Sequence, residues 1–434
     1  PDKFFILNFG GYIKNITGTV YFDDMKISIV RFDPMDTVLM TPNYKGIIKG
    51  DGGVGDIALR AYINGGNGYY NLNNMKVINR ITDDDHKVYL ESESETVTEV
   101  LDVYFSSDTL PMGGDFYLET ILVDKTTGEE IQKKEWMLHK READFTTTVD
   151  YDKYGRIIYK GEPVFPLSTY NSTHSNALDL IKMGCMDNMT NYGIGWYYSW
   201  GENESYRNIT EEMQKNGMTI SLTIPDMRMD TTFKEVFNVC KDQNDRRSLV
   251  KKILDNMKDL PNLYTYYLFD EQNPMRYGDE LGWIRKVIES EDLNHPTTCA
   301  IADPFTTRPG VHAEMSDFLG YDAYPVTGRP DQDISLVSDF LETAQKNNPN
   351  RPYYAILQAF YYDGRKDERA PNKIEFRNMA FQALCEKAAM IETYGYYYIK
   401  GMPSPDRPWQ ETWADYECVL NEIKYLKPIL LSTD

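Results

Sequence analysis

The chain has 434 residues and a formal net charge of −21, with 67 Asp and Glu against 46 Lys and Arg. That length implies two or three domains rather than one small core, and the charge argues against a nucleic-acid partner, whose phosphates would be repelled. No apolar run approaches the roughly 18 residues of a membrane helix, so no membrane span is expected. Five cysteines (Cys185, Cys240, Cys299, Cys385, Cys418) stand far apart without a CxxC pair, and the five histidines are scattered. Mostly buried, reduced thiols are expected, with no metal site and no cofactor. The chain begins Pro1-Asp2-Lys3 without a basic or apolar leader, so any signal peptide lies outside it.

In chain order, Thr19-Val20-Tyr21-Phe22-Asp23-Asp24-Met25-Lys26-Ile27 alternates with the period of a strand. With Gly18 it resembles the closing strand of jelly-roll carbohydrate-binding modules, so residues 1–34 read as the remnant of such a module. From 35 to 155, turn chemistry recurs about every ten residues, as in Lys49-Gly50-Asp51-Gly52-Gly53 and Asn64-Gly65-Gly66-Asn67-Gly68. Between the turns, Ile57–Ile63 and Phe116–Val123 read as strands. Short strands with such spacing predict an antiparallel β-sandwich, an accessory domain.

After Tyr154-Gly155-Arg156, a hairpin-like stretch leads into alternating strand and helix patterns over 156–434. The candidate strands are Val164–Tyr170, Met186–Tyr192, Met218–Ile224, Leu263–Phe269, Thr297–Ile301, Phe318–Tyr321, Tyr353–Gln358 and Tyr396–Lys400. Helices are expected at Arg246–Leu260, Glu280–Glu289, Leu336–Asn347, Glu375–Glu392 and Asp415–Leu426. Eight strands with crossover helices predict a (β/α)8 TIM barrel following the sandwich, a multidomain β plus α/β chain. The alternative, a doubly wound sheet, would show a Gly-rich phosphate loop after the first strand, and Tyr170-Asn171-Ser172-Thr173 is not one.

The fourth strand runs straight into Asp270 and Glu271 before Pro274 stops it. Strand ends at that side of a parallel barrel carry the chemistry, and an unpaired carboxylate is too costly for a packing role. Asp270-Glu271-Gln272-Asn273-Pro274 resembles the Asp-Glu-Pro variant of strand four in barrel glycoside hydrolases related to the large retaining clan. Asp317-Phe318-Leu319-Gly320-Tyr321-Asp322-Ala323-Tyr324-Pro325 is similar to their strand-six ending. Leu357-Gln358-Ala359-Phe360 with Arg369–Met379 is similar to their strand seven and following helix. This resemblance implies Glu271 as proton donor. The clan's nucleophile is a Glu at the end of strand seven, where this chain has Gln358, and an amide cannot serve. Two carboxyls are needed for glycoside cleavage, so Asp322 is the expected second catalytic group, with Asp270 in support.

Around these, Tyr170, Trp196, Trp200, Asp226, Tyr324, Gln358 and Trp409 are expected to contact substrate, since Trp and Tyr give sugars a flat apolar platform. Glu375 is expected to complement a helix N-terminus. The expectation is a hydrolase acting on a polysaccharide or glycan outside the cytoplasm, with carbohydrate as its partner. The alternative is a barrel that binds glycans without cutting them.

Overall fold

The structure is a computed structural model that describes residues 33–66, 70–171, 174–191, 204–224, 243–305, 310–327, 333–361, 369–401 and 407–433. Nearly all of the jelly-roll-like tail lies outside them, as do Trp196, Trp200 and Asp226.

Residues 35–141 form two facing sheets. Strands β1 (Met35–Thr41), β3 (Ile57–Ile63) and β6 (Val100–Phe105) pair antiparallel in the order β1-β3-β6. The other sheet runs β2-β8-β7-β4-β5, from β2 (Ile47–Lys49), β4 (Met75–Thr82), β5 (Val88–Ser94), β7 (Asp115–Asp124) and β8 (Glu130–Arg141). Strand β4 shows why the sheets stack. Met75, Val77 and Ile81 alternate with half-buried Lys76, Ile78 and Arg80, the period-2 signature of a strand with one apolar face. Val38, Leu39 and Leu59 from one sheet meet Ile81, Leu118, Trp136 and Leu138 from the other in a shared core.

A small sheet of β9 (Val149–Tyr151), β10 (Ile157–Tyr159) and β11 (Glu162–Val164) leads to the barrel. Its Tyr151 meets Phe318 edge-on at 6.2 Å and its Tyr159 meets Tyr264 at 5.9 Å, so it covers the floor beneath the strands. The barrel closes in sequence order. Its strands are β12 (Leu167–Asn171), β13 (Asn188–Asn191), β14 (Thr219–Thr223), β15 (Leu263–Tyr267), β16 (Thr297–Ile301), β17 (Phe318–Ala323), β18 (Tyr353–Gln358) and β19 (Met390–Tyr394). Every neighbouring pair is parallel, with β12 paired to β19 to complete the circle. The helices are α1 (His174–Met183), α2 (Glu204–Lys215), α3 (Gln243–Met257), α4 (Pro274–Glu291), α5 (Val311–Met315), α6 (Leu336–Asn347), α7 (Lys373–Cys385), α8 (Tyr396–Gly401) and α9 (Trp409–Leu430). The expected sandwich-plus-barrel architecture is thus present.

One expected strand is wrong. Tyr396–Lys400 is helical, and the eighth strand is Met390–Tyr394, whose first three residues fall in the tail of the expected helix Glu375–Glu392. Lys387 at φ +58° stops α7, and Gly395 at φ +123° separates β19 from α8. A side chain at 395 would sit 2.7 Å from Phe360 Cβ, which leaves only glycine for this turn. Glu375 does close a capping box: Asn372 accepts from the Ile374 and Glu375 amides, and Glu375 accepts from the Asn372 amide.

Inside the barrel, Gly320 on β17 makes room for Tyr354 on β18. A Cβ at 320 would lie 2.4 Å from Tyr354 Cζ and 2.7 Å from Ile356 Cδ1. Gly320→Ala is therefore expected to destabilise by about 1–3 kcal/mol through overpacking, read as a lowered urea midpoint at unchanged slope; an unchanged midpoint would mean the ring has space to move.

The sandwich is fastened to the strand-start side of the barrel by buried charges. Lys45, 3% exposed, donates to the Asp292 and His295 carbonyls at 2.7 Å each and lies 3.9 Å from Asp317 Oδ2. His139 on β8 sits between Asp115 (2.8 Å) and Glu289 of α4 (3.4 Å). Burial opposes charge on His139, but the hydrogen bonds and charges of Asp115 and Glu289 outweigh it, so its pKa is raised. A base with a raised folded pKa contributes fully below its unfolded pKa, about 6.5, and that contribution is lost as pH rises through the folded value. Thermal midpoints are expected to decline as pH climbs from about 6.5, and the decline should be flatter in His139→Gln. Identical pH slopes in the two proteins would show that His139 does not titrate with folding.

Candidate active site

Strands β15, β17 and β19 carry carboxyls toward the end of the barrel where they terminate. Asp270 and Glu271 follow β15, in the turn before α4. Glu271 has φ +50°, a left-handed conformation that costs a non-glycine residue about 1–2 kcal/mol. The strand alternation that would send neighbouring side chains to opposite faces does not apply in this turn. Both carboxyls consequently act on Asp322, and Asp270 belongs to the cluster as fully as Glu271 does.

Asp322 lies within β17, 6% exposed, and its Oδ1 has no hydrogen-bond partner among the described residues. Desolvation raises its pKa well above the ordinary carboxylate range. The charges of Asp270 and Glu271 and a hydrogen bond with the Glu271 carboxyl add to this, against an opposing bond from Tyr324. Asp270 is raised as well, first by desolvation, while the hydroxyl of Tyr267 donates to its Oδ1 at 2.9 Å. Burial and the neighbouring carboxyls thus both favour the protonated form of Asp322.

Aromatic rings surround the carboxyls. Tyr170, at the end of β12, meets Tyr267 at 5.8 Å and Tyr394 at 5.6 Å. Tyr324 stacks on Tyr394 at 5.9 Å and meets Phe360 edge-on at 5.0 Å. Burial raises the Tyr170 and Tyr324 hydroxyls far above their usual titration, so both stay neutral donors.

Two expected contacts sit differently. Gln358 is fully buried; its Oε1 accepts from the Val326 amide at 2.8 Å, and its Nε2 donates to the Val326 carbonyl at 2.8 Å and the Phe360 carbonyl at 3.1 Å. Its amide is spent on backbone, tying the end of β18 to the loop after β17. Trp409 begins α9 and meets Tyr396 at 5.9 Å, with Lys400 over its ring at 5.8 Å; these contacts belong to the outer helix layer. Trp413 is buried there too, 4.6 Å from Tyr396.

One carboxyl escaped the sequence reading. Glu392 on β19 is fully buried inside the barrel, and its Oε2 accepts from Ser168 at 2.8 Å and from Thr190. Desolvation pushes its pKa up to about 7, the Thr190 and Ser168 hydrogen bonds pull against that, and Asp270 adds to it. The pattern Met390-Ile391-Glu392-Thr393-Tyr394, ended by Gly395, was the available signal. Among the described residues, no group of three or more His, Cys, Asp or Glu has the arrangement of a metal site.

No protein-family profile and no curated protein matches the sequence. Among solved structures, a Bacteroides uniformis β-glucuronidase is similar over 82% of this chain, at 11% identity and a TM-score of 0.40. A Ruminococcus gnavus β-glucuronidase is similar over 78%, at 11% identity and a TM-score of 0.42. The chain spans 45% and 58% of their lengths.

Proposed function

We propose that the protein is a glycoside hydrolase acting on a glycan or polysaccharide outside the cytoplasm, with Glu271 and Asp322 as its catalytic pair. What supports this reading is the gathering of carboxyls where the barrel strands end, Asp270 and Glu271 after β15 and Asp322 near the end of β17, with Asp322 6% exposed and its Oδ1 without a hydrogen-bond partner among the described residues. Glycoside cleavage needs one proton for the leaving oxygen and one negative charge to attack or to activate water. A pair sharing a single proton supplies both.

Retaining pairs stand about 5–5.5 Å apart and inverting pairs wider, to leave room for the attacking water. In this reading the proton passes from Asp322 to Glu271 and on to the glycosidic oxygen, and Asp322 is left as the carboxylate. Asp270, oriented by Tyr267, adds negative charge that favours a developing oxocarbenium ion. Tyr170, Tyr324 and Tyr394 offer rings and hydroxyls to the sugar. Trp196, Trp200 and Asp226 remain proposed contacts on sequence grounds.

A second reading is favoured by Gln358, whose amide is committed to backbone at the position of the clan's nucleophile: a barrel that binds glycans without cutting them. Incubation with a panel of natural glycans and aryl glycosides, alongside a glycan array, separates the two. Released reducing sugar supports the hydrolase; array binding with no cleavage of any bound glycan supports the second reading and ends the first.

A further inference from the structure

A second recess lies at the strand-start end of the barrel, opposite the carboxyl mouth. A cleft of about 470 Å³ opens where the end of β1 and the turn from β9 to β10 meet the last turn of α6 and the residues leading into β18 and β19. That volume falls within the roughly 300–1,000 Å³ of ligand sites. Its charges run against those of the chain, which has 67 acidic and 46 basic side chains. Lys153, Arg351 and Lys387 line it, against the single carboxylate of Asp152. That carboxylate is spent within its own turn. Its Oδ1 accepts from the Tyr154 and Arg156 amides at 2.9 and 3.0 Å, and its Oδ2 accepts from Arg156 Nε at 2.6 Å. The cations are not matched in this way. Lys153 and Lys387 are exposed, and neither pairs with a carboxylate among the described residues. Arg351, 6% exposed, lies over the Trp136 ring at 4.8 Å and donates from Nη1 to the Ala313 carbonyl at 3.3 Å. Its Nε has no hydrogen-bond partner among the described residues. A buried cation with no carboxylate in contact is costly, and its charge adds to the positive potential of the cleft. The same recess offers an aromatic face. Tyr154 is 55% exposed, with Lys153 Nζ 5.1 Å and Arg156 Cζ 5.3 Å from its ring centre. Asn43, after β1, donates to the Asn350 carbonyl, before β18, at 2.9 Å and so ties the sandwich wall of the cleft to the barrel wall. Gln345 and Asn350 add exposed amides, which can both donate to and accept from hydroxyls.

We propose that this cleft is a second binding site, for an acidic saccharide: an oligosaccharide bearing carboxylate or sulfate groups. Lys153, Lys387 and the charge of Arg351 hold the acidic groups, the Tyr154 ring stacks on a sugar face, and the amides meet the hydroxyls. A small inorganic anion would use the cations alone and leave the ring and amides idle. No residue of the mouth takes part, so the inference is independent of the hydrolase reading.

The test is calorimetric titration of the full chain with trigalacturonate, a heparin-derived tetrasaccharide, maltotriose and sodium sulfate. At least one of the two acidic oligosaccharides is expected to bind about tenfold or more tightly than maltotriose, and less tightly as sodium chloride is added. Binding of trigalacturonate identifies carboxylate as sufficient; binding of the heparin fragment alone identifies sulfate as the group required. Lys153→Gln combined with Lys387→Gly should weaken that binding about tenfold, the worth of one charge-assisted hydrogen bond, whereas Glu271→Gln should leave it unchanged. Both lysines are exposed, and Lys387 has φ +58°, which glycine adopts without strain, so the double variant should keep its urea midpoint. Tyr154→Ala should weaken the oligosaccharide and leave any sulfate binding as it was. Sulfate bound as tightly as the oligosaccharides would overturn the saccharide assignment. No binding of either acidic oligosaccharide at millimolar concentration, or an affinity unmoved in the double variant, would overturn the site itself.

Discussion

Replacing Glu271 with Gln is expected to lower hydrolysis of natural glycans by about 10²–10⁴-fold, the usual contribution of a positioned acid, while glycan binding persists. The amide keeps the size of the side chain, and because Glu271 is exposed the replacement imposes no packing change. What it loses is the ability to take the proton from Asp322 and pass it to the leaving oxygen. The size of the loss should depend on the leaving group. A nitrophenolate departs with little protonation, so nitrophenyl glycosides should suffer far less than an alkyl glycoside or a natural linkage. The replacement also removes a like charge beside Asp322, so the pH at which Asp322 ionises should fall while burial keeps it raised. Initial rates on a series of aryl glycosides test both points. An equal loss across all leaving groups would make Glu271 a structural residue of the turn, and an undiminished rate would remove it from the mechanism.

The strands that needed no tertiary knowledge were those bounded by turns and rich in β-branched or aromatic residues. Thr297–Ile301 and Tyr353–Gln358 match the structure at both ends. Strand eight failed because local composition competed with barrel closure. Tyr396-Tyr397-Tyr398-Ile399 has more strand character than Met390-Ile391-Glu392-Thr393-Tyr394, yet only the latter can pair with both β12 and β18. The error concealed Glu392, which reads as an ordinary polar residue when assigned to a helix.

The cluster itself was legible, since Asp270, Glu271 and Asp322 stand at recognisable strand ends. The burial of Asp322 was not. Glu271 is the expected proton donor, and the desolvation that raises the Asp322 pKa could not be foreseen. Desolvation is a property of what packs around a group in the folded barrel, and no local pattern encodes it. Gln358 shows the same limit: its identity marked the missing nucleophile, but only the fold reveals Val326 at the other end of its amide.

Arg285→Met is expected to destabilise the protein by about 3–5 kcal/mol, the cost of leaving buried carboxylates unpaired. Arg285 on α4 is 2% exposed; its Nη1 lies 2.6 Å from Glu289 Oε2 and 3.5 Å from Asp317 Oδ1, and its Nε donates to the Glu314 carbonyl at 3.0 Å. Trp136 of the sandwich carries the guanidinium against its ring at 5.1 Å. Burial would raise Glu289, but Arg285 and then His139 hold it down to about 2. Without Arg285 that buried carboxyl keeps His139 at 3.4 Å and the more distant charge of Lys45. Because its depressed pKa rises toward or above the unfolded value, the stability it lends above pH 4 shrinks. A methionine fills most of the removed volume, so the loss is electrostatic and not a cavity effect. The double replacement Arg285→Met with Glu289→Leu should recover a large part of it, since well-packed apolar groups often match a buried ion pair. Urea denaturation at pH 7 measures all three proteins. A single-variant cost below about 1 kcal/mol, or a double variant no more stable than Arg285→Met, would show that the junction of sandwich and barrel does not depend on this charge.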